Sequence, residues 1–375
     1  MRNIVVFLLI ISSMLNSCTS NRKETDVLTV NKIDSLFQSL YPSNEPGVAV
    51  LIMKGDSIVF DKGYGIADME KMTKIDGNTF FNIASVSKQF AAVAVMMLAE
   101  EGKLSLEDNV KKWFPDFRAD FFEKIKIKHL LSHTSGIPDA RDRSNRNFVL
   151  TATDVDSYSY MKNLDTLNFE PGTEYEYMNP TFQLLYTIIE KASGMQFDTF
   201  MRDRIFLPCG MNETTYFEAG KEIPRMAHGY LFDSTSNNFR EFDFGEESFF
   251  ATKADGGIYT STRDFTKWEI ALRDNKLISE QMKNTAHSPK ISIKDMPYTS
   301  YGYGWFIQEK PGYPVKVFHT GDNGGFQIYA GRYPDNKILY LIFSNRNDRD
   351  RELSASKLDK IFKEAGWFDT TSDRK

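Results

Sequence analysis

Cysteine is nearly absent from this sequence, since Cys18 and Cys209 are the only two in 375 residues. Two cysteines cannot build a disulfide-stapled scaffold. Neither belongs to a Cys/His cluster or an HExxH sequence of the kind that indicates a metal site, so we expect no metal and no cofactor. An excess of positive charge is also lacking, because 46 Lys and Arg face 51 Asp and Glu, for a net charge of −5. Without a basic stripe, the sequence argues against nucleic-acid binding.

Long apolar runs are equally scarce, and the one that stands out lies at the N-terminus. Ile4 to Leu15 (IVVFLLIISSML) carries no charge, but it is shorter than the about 20 residues that a membrane-spanning helix needs. Its proportions are those of a signal peptide, which we assign to residues 1–17. It ends in Leu15-Asn16-Ser17-Cys18, which is similar to the bacterial lipobox, in which the cysteine becomes lipidated. A signal peptide cleaved without lipidation stays an alternative, because Asn16 is unusual in that box.

Lipidation of Cys18 would place the protein in the bacterial cell envelope, held at the membrane by its lipid anchor. Residues 18–30 would form a polar tether, so that the chain is anchored to the membrane and does not span it. Cys209 would then have no disulfide partner. Its position in a turn between helical stretches predicts a small packed residue and not a reactive thiol.

Beyond residue 30 the chain reads as one globular unit, which we place at residues 31–366, with a polar tail at 367–375. No repeat or low-complexity linker interrupts it, and 41% of the residues are hydrophobic. One helix face is predicted by the spacing of Val30, Ile33, Phe37 and Leu40. The apolar run from Gly47 to Met53 then predicts a strand covered on both faces, followed by a turn and a returning strand.

The C-terminal part mirrors this beginning. Short turns separate the strands predicted at Val315 to His319, Phe326 to Tyr333 and Ile338 to Ser344, so these strands are antiparallel neighbours. A closing helix is indicated by Ala355, Leu358, Phe362 and Ala365, and residues 86 to 245 are mainly helical. We therefore predict an α+β fold, with an antiparallel sheet flanked by the terminal helices, a mainly helical lobe, and a site in the cleft between them.

Ser85-Val86-Ser87-Lys88 opens a predicted apolar helix, and its spacing places Ser85 and Lys88 on one face, within reach of each other. A serine hydroxyl needs an adjacent base to become a nucleophile. A neutral lysine amine can be that base if burial and nearby positive charge depress its pKa. The helix N-terminus would add a positive dipole where an oxyanion forms. The same spacing recurs at Ser20, Ser159, Ser354 and Ser372, but only Ser85 lies between the strand region and an apolar helix.

Two other short stretches carry groups that suit acyl transfer. Tyr177-Met178-Asn179 offers a phenol that can shuttle protons and an amide that can both donate and accept. His319-Thr320-Gly321 follows a predicted strand, where Gly321 would let a substrate approach the strand edge. The backbone N–H of the next residue, Asp322, could supply half of an oxyanion hole.

In this order, the three stretches resemble the three motifs of the penicillin-recognising serine hydrolases, most closely the class C β-lactamase-like branch. The motifs are separated by 92 (177 − 85) and 142 (319 − 177) residues. The resemblance extends over residues 31 to 365. Further similar stretches are Phe81-Asn82-Ile83-Ala84, the segment from Leu130 to Pro138, Glu170-Pro171-Gly172, Gly256-Gly257-Ile258-Tyr259 and Gly302-Tyr303-Gly304-Trp305.

The resemblance implies the β-lactamase/D,D-peptidase fold and an acyl-enzyme on Ser85. It also implies roles for the other residues of the three motifs. Lys88 and Tyr177 would share the proton transfers, and the backbone N–H groups of Ser85 and Asp322 would form the oxyanion hole. The substrate would be held by Asn179, His319, Thr320 and Gly321.

The sequence departs from the family at His319, where enzymes that act on β-lactams and peptidoglycan stems usually carry lysine. Histidine, with an ordinary pKa of about 6.5, is mostly neutral at pH 7. We therefore expect hydrolysis of an ester or amide in a small-molecule or peptide substrate. A peptidoglycan D,D-peptidase or a β-lactamase is the alternative among enzymes. A penicillin-binding sensor without turnover is the alternative outside them, although three intact motifs argue for turnover. The oligomeric state is left open.

Overall fold

The computed structural model describes residues 26–139, 153–217, 222–242 and 252–368. The predicted signal peptide (1–17) and Cys18 lie outside these residues. The strands are β1 Val48–Lys54, β2 Ser57–Tyr64, β3 Ile66–Asp68, β4 Thr73–Lys74, β5 Phe81–Asn82, β6 Thr215–Tyr216, β7 Tyr230–Asp233, β8 Asn238–Glu241, β9 Ile258–Thr260, β10 Ile291–Ser292, β11 Thr299–Tyr301, β12 Phe306–Gln308, β13 Lys316–Asn323, β14 Phe326–Tyr333 and β15 Ile338–Ser344.

Helices account for most of the remaining regular structure. The α-helices are α1 (residues 26–40), α2 Lys88–Glu100, α3 Val110–Trp113, α4 Ile127–Leu131, α5 Asp154–Met161, α6 Asn179–Ser193, α7 Phe197–Phe200, α8 Leu207–Cys209, α9 Thr262–Arg273, α10 Glu280–Ala286 and α11 Arg351–Glu364. Short 3₁₀ helices cover Ala84–Ser87, Asp120–Glu123 and Pro334–Asn336, and a π-helix covers Met201–Phe206.

Eight strands form one antiparallel sheet in the order β10-β11-β12-β13-β14-β15-β1-β2. The sheet joins the two ends of the chain, because Val48 of β1 pairs with Ser344 of β15. The predicted neighbours β13, β14 and β15 are consecutive and antiparallel. The α+β class and the antiparallel sheet predicted from the sequence are thus confirmed.

The side chains of β1 show which helices cover each face of the sheet. Its first six residues are buried although they alternate between the two faces of the sheet. Val48, Val50 and Ile52 pack in one hydrophobic cluster with residues of α1 and α11. Ala49, Leu51 and Met53 pack in the other cluster, which contains α2 and α9. Both terminal helices therefore cover one face of the sheet, and the helical lobe covers the opposite face.

The helix α2 lies in the middle of that second cluster. Eleven of its thirteen residues are buried, Phe90, Val93 and Met97 among them, so it is apolar all round and not merely along one stripe. The chain leaves it at Gly102, which has a φ of 71°. Because close packing surrounds α2 on every side, the turn that precedes it is held in place.

The folded part is larger at both ends than the predicted 31–366. Residues 26–30, predicted as tether, are the first turns of α1. Trp367 and Phe368, predicted as tail, are buried, and Trp367 stacks on Phe362 with ring centres 5.0 Å apart. The Trp367 indole N–H also donates to Asp26 at 3.2 Å.

A search of the described residues for a membrane-spanning helix found none of sufficient length and apolar character.

Candidate active site

The predicted nucleophile lies in the turn just before α2. Ser85 belongs to the 3₁₀ helix Ala84–Ser87, and α2 begins only at Lys88. The sequence predicted an α-helical first turn; the 3₁₀ turn is tighter and brings residues three apart almost into line. Lys88 Nζ consequently lies 3.0 Å from Ser85 Oγ. The structure therefore places the predicted nucleophile and base in hydrogen-bond contact.

Lys88 is fully buried, and its amine is surrounded by oxygen atoms. Besides Ser85, Nζ contacts Asn179 Oδ1 and the backbone carbonyl of Asp255, each at 2.8 Å. A neutral amine has two N–H donors and one lone pair. It can therefore donate to Asn179 and Asp255 while accepting the Ser85 hydroxyl, which is the arrangement of a general base. The Asp255 carbonyl was not predicted from the sequence.

Tyr177 and Asn179 come from the segment that leads into α6, whose first residues are Asn179 and Pro180. The Tyr177 hydroxyl is buried without a hydrogen bond, and its ring centre lies 5.1 Å from Lys88 Nζ. Burial raises the pKa of Tyr177 well above its usual range, and the neighbouring Ser85 hydroxyl opposes that rise. Tyr177 is therefore a neutral phenol, able to relay a proton next to Ser85 and Lys88.

His133 packs against Tyr177 and binds the backbone of the residue that follows it. Its ring centre lies 4.2 Å from that of Tyr177, and its Nδ1 accepts the backbone N–H of Met178 at 3.1 Å. The residue is fully buried, and burial lowers the pKa of His133 well below its usual range. The sequence showed it only as part of a family-like stretch. The structure shows an uncharged support for the tyrosine.

The predicted third motif lies inside a strand and not after one, because β13 continues to Asn323. His319 Nδ1 donates to the Thr320 carbonyl at 2.7 Å, and Nε2 accepts the Tyr301 hydroxyl at 2.9 Å. Burial lowers the pKa of His319 to about 3. Both ring nitrogens are thus satisfied and the ring is neutral. Tyr301, which completes this arrangement, was not predicted from the sequence.

Gly321 lets β13 run directly alongside the nucleophile turn. A Cβ atom at this position would stand 2.5 Å from the Ile83 carbonyl oxygen and 3.2 Å from the Ser85 backbone nitrogen. Only a residue without a side chain permits so close an approach. The next backbone N–H, that of Asp322, therefore comes from a strand in contact with Ser85. An oxyanion hole made from these two groups would need the strand and the nucleophile turn to lie in contact, as they do.

Arg351, at the start of α11, braces this end of β13. Its guanidinium donates to the Gly321 carbonyl at 2.8 Å and to the Asp322 carboxylate at 2.5 Å. The arginine is largely buried, whereas the Asp322 side chain is 62% exposed. Burial opposes the rise in the pKa of Arg351 that the Asp322 carboxylate causes, and the net shift is upward. The strand end is thus tied to the C-terminal helix by a permanent cation.

A buried carboxyl group, that of Asp154, supports the segment whose carbonyl holds Lys88. Asp154 accepts the backbone N–H groups of Lys253 and Ala254, at 2.7 and 3.1 Å, which fixes the segment leading to Asp255. Burial raises the pKa of Asp154, and the neighbouring Asp255 raises it further. The two backbone N–H groups that Asp154 accepts act in the opposite direction and limit this rise in its pKa.

Two further observations concern the predicted cysteine and the question of a metal site. Cys209 is free and buried, and burial raises the pKa of its thiol to about 12, in keeping with a packed residue. Across residues 26–139, 153–217, 222–242 and 252–368, no group of three or more His, Cys, Asp or Glu side chains is placed to hold a metal ion.

Comparisons with known proteins identify the family of this chain. The sequence matches the Beta-lactamase family over residues 33–360. It is similar to Penicillin-binding protein 4* of Bacillus subtilis (strain 168), with 31% identity over 334 residues, covering 84% of this chain and 72% of that protein. It is also similar to Protein flp of Staphylococcus aureus (strain MW2), with 28% identity over 322 residues, covering 84% of this chain and 63% of that protein.

Solved structures support the same fold. The D-stereospecific amidohydrolase from Streptomyces sp. has a TM-score of 0.75 and 20% identity, covering 88% of this chain and 98% of that one. At this identity the likeness concerns the fold alone. The resemblance that the three motifs indicated is therefore confirmed by independent means. This chain belongs to the Beta-lactamase family and is a serine hydrolase of that family.

Proposed function

We propose that this enzyme hydrolyses an ester or amide bond through an acyl-serine intermediate on Ser85. The observation that carries the proposal is the 3.0 Å contact between Ser85 Oγ and Lys88 Nζ. Two oxygen acceptors hold the same amine from its other sides. With those two acceptors holding its N–H groups, a neutral amine can turn its lone pair toward the Ser85 hydroxyl.

In the acylation step, Ser85 Oγ attacks the substrate carbonyl carbon while its proton passes to Lys88. The carbonyl oxygen becomes an oxyanion and is stabilised by the backbone N–H groups of Ser85 and Asp322. The intermediate then collapses, and the leaving group departs with a proton relayed from Lys88 through Tyr177. Asn179, whose Oδ1 is occupied by Lys88, has its NH₂ group available for a substrate carbonyl.

In the deacylation step, a water molecule attacks the acyl carbon and gives its proton to the same Lys88–Tyr177 pair. The bond to Ser85 Oγ breaks, the serine recovers its proton, and the acid product leaves. The two steps together consume one water and need no cofactor. The same two N–H groups stabilise both oxyanions, because the acyl carbon stays in one place.

The substrate class is narrowed by the third motif. His319 is neutral, and both of its nitrogens are occupied by Tyr301 and Thr320, so it offers neither a cation nor a free N–H to a substrate carboxylate. We propose that the preferred substrates are esters or amides whose binding does not require a carboxylate next to His319. An amidase function of the kind named for the Streptomyces relative fits this pattern better than β-lactam hydrolysis.

Exchanging His319 for lysine tests this substrate preference. We expect His319→Lys to raise kcat/KM for carboxylate-bearing β-lactams by about tenfold relative to a neutral ester, because an ammonium replaces a neutral ring. The measurement is kcat/KM for a chromogenic cephalosporin and a nitrophenyl ester, side by side at pH 7. His319→Gln, which stays neutral, is the matched control and should leave the ratio unchanged. A wild-type enzyme that already hydrolyses the cephalosporin faster than the ester would contradict the proposal.

We also propose that the protein is exported and held at a bacterial membrane by a lipid on Cys18, with the chain before it removed. The support is the apolar stretch and lipobox-like ending of residues 1–18. The mature chain would have 358 residues (375 − 17). Mass spectrometry of the N-terminal peptide from the native host should show a diacylglyceryl-modified Cys18, and Cys18→Ser should abolish the modification. An unmodified cysteine or an intact Met1 would overturn this proposal.

A further inference from the structure

Asn82 lies at the end of β5, two residues before the nucleophile turn, and its side chain is fully buried. The side-chain amide makes three hydrogen bonds. Oδ1 accepts the backbone N–H of Ala84 at 3.0 Å and the side-chain NH₂ of Asn323 at 3.3 Å. Nδ2 donates to the backbone carbonyl of Gly256 at 3.2 Å. These bonds occupy both lone pairs of the oxygen and one N–H of the nitrogen.

Each of the three partners adjoins a different part of the catalytic machinery. Ala84 directly precedes Ser85, and its φ of 46° is a left-handed conformation that a residue with a Cβ rarely adopts. Asn323 directly follows Asp322 in β13. Gly256 directly follows Asp255, whose carbonyl holds Lys88 Nζ at 2.8 Å. One side chain therefore contacts the nucleophile turn, the oxyanion strand and the segment that orients the base.

We propose that Asn82 is a positioning residue that sets these three segments relative to one another, an inference that rests on the proposed role of Ser85. Strained backbone such as that of Ala84 persists only where its surroundings over-determine it, and the Asn82 bond to the Ala84 N–H is one of the constraints. Because the site is buried, water cannot replace a lost partner without a cost. Asn82 touches neither substrate nor reacting atoms, and it acts through the segments it holds.

The substitution Asn82→Asp tests this role in a way that a bulk loss of stability would not reproduce. A protonated aspartic acid can still accept from Ala84 and Asn323 and can donate its O–H to the Gly256 carbonyl. An ionised aspartate cannot donate, and it places a negative charge against that carbonyl. Activity of the variant should therefore depend on the protonation of residue 82, which has no counterpart in the wild type.

The measurement is the rate at which a fluorophosphonate labels Ser85, compared between variant and wild type at each pH from about 4.5 to 9. We expect the ratio of rates to be within about threefold of one at the acidic end. It should fall by about 100-fold as residue 82 ionises, because displacement of catalytic groups by an ångström costs about that much. In steady state the loss should appear in kcat and not in KM, since Asn82 lies outside the substrate site.

Asn345→Asp is the matched control. Asn345 is equally buried, and it also uses its oxygen and nitrogen on backbone groups: it accepts from Gly47 and donates to His228 among others. It holds no segment that carries a catalytic group, so its variant should lose stability without a pH-dependent loss in labelling rate. Circular dichroism and the thermal midpoint at each pH report the folded fraction of both variants.

Four outcomes decide between the inference and its alternatives. A labelling ratio for Asn82→Asp that is flat across the pH range would overturn the inference, and so would an equal pH-dependent loss in Asn345→Asp. Asn82→Leu, which removes all three bonds, should label at least about 100-fold more slowly while folded; if it does not fold, the pH dependence of Asn82→Asp decides alone. Labelling of a residue other than Ser85 in the wild type would instead sink the proposed function and leave the inference without a basis.

Discussion

Ser85→Ala is expected to lower kcat by a factor on the order of 10⁴ or more, because only the oxyanion hole and binding would still act on the substrate. Lys88→Ala should do nearly the same, since the serine then lacks the amine that lies 3.0 Å from its oxygen. Because nucleophile and base work as one unit, the double variant should lose little beyond either single one. Ester hydrolysis under saturating substrate, with folded fraction checked by circular dichroism, measures all three.

Ser87→Ala is the matched control for this set. Its hydroxyl lies in the same turn but accepts the backbone N–H of Ile258 in β9 at 3.2 Å. We expect at most a few-fold loss of activity, together with some loss of stability from the missing hydrogen bond. A fluorophosphonate should label the peptide that contains Ser85 in the wild type. Undiminished hydrolysis by Ser85→Ala would falsify the assignment of the nucleophile.

Gly321→Ala is expected to slow acylation by about 100-fold or more, on the scale of losing an oxyanion donor or displacing it by an ångström. The φ of Gly321 is not in the left-handed region, so backbone strain is not the cause. The added Cβ would lie 2.5 Å from the Ile83 carbonyl oxygen and would push β13 away from the nucleophile turn. Single-turnover acylation by a nitrophenyl ester is the measurement.

Gly256→Ala offers a comparison at the same turn. Its Cβ would lie 3.6 Å from the Ala84 carbonyl carbon, an ordinary contact distance, and its φ is not left-handed either. We expect a loss of only a few-fold. If the two alanine variants acylate at similar rates, the close approach of β13 is not what positions the oxyanion donor, and the role given to Asp322 is wrong.

The sequence was sufficient to predict the strands that are long enough to show a clear apolar pattern. The run from Gly47 to Met53 predicted β1 as a strand covered on both faces, and the structure confirms this. The antiparallel order of β13, β14 and β15 followed from the shortness of their turns. Three motifs were sufficient for the family, because their order and spacing combine into a far more specific signal than any one of them carries.

The strands β10, β11 and β12 were not predicted, and their length explains why. They contain only two or three residues each, too few for an alternating pattern to stand out from a loop. They belong to the sheet because β13 offers them an edge on which to pair. Tertiary context therefore decided these elements, and local sequence did not.

At the site, the groups that escaped prediction act through the backbone or across long separations. The Asp255 carbonyl that holds Lys88 has no sequence signature, since every residue carries a carbonyl. Tyr301 of β11 reaches His319 of β13 across the intervening strand β12, a contact that only the fold creates. Stretches such as Phe81-Asn82-Ile83-Ala84 did resemble the family, but resemblance alone gave no role to Asn82.

The pairing of β1 with β15 also governs when this fold can form. Val48 and Ser344 are partners although 296 residues (344 − 48) separate them. Closing so large a loop is slow, because its entropy must be lost before the contact returns any energy. Until β15 has been synthesised, β1 is apolar on both faces and open along one edge, which is a template for aggregation. The emerging polypeptide therefore depends on staying unfolded until β15 is available to pair with β1.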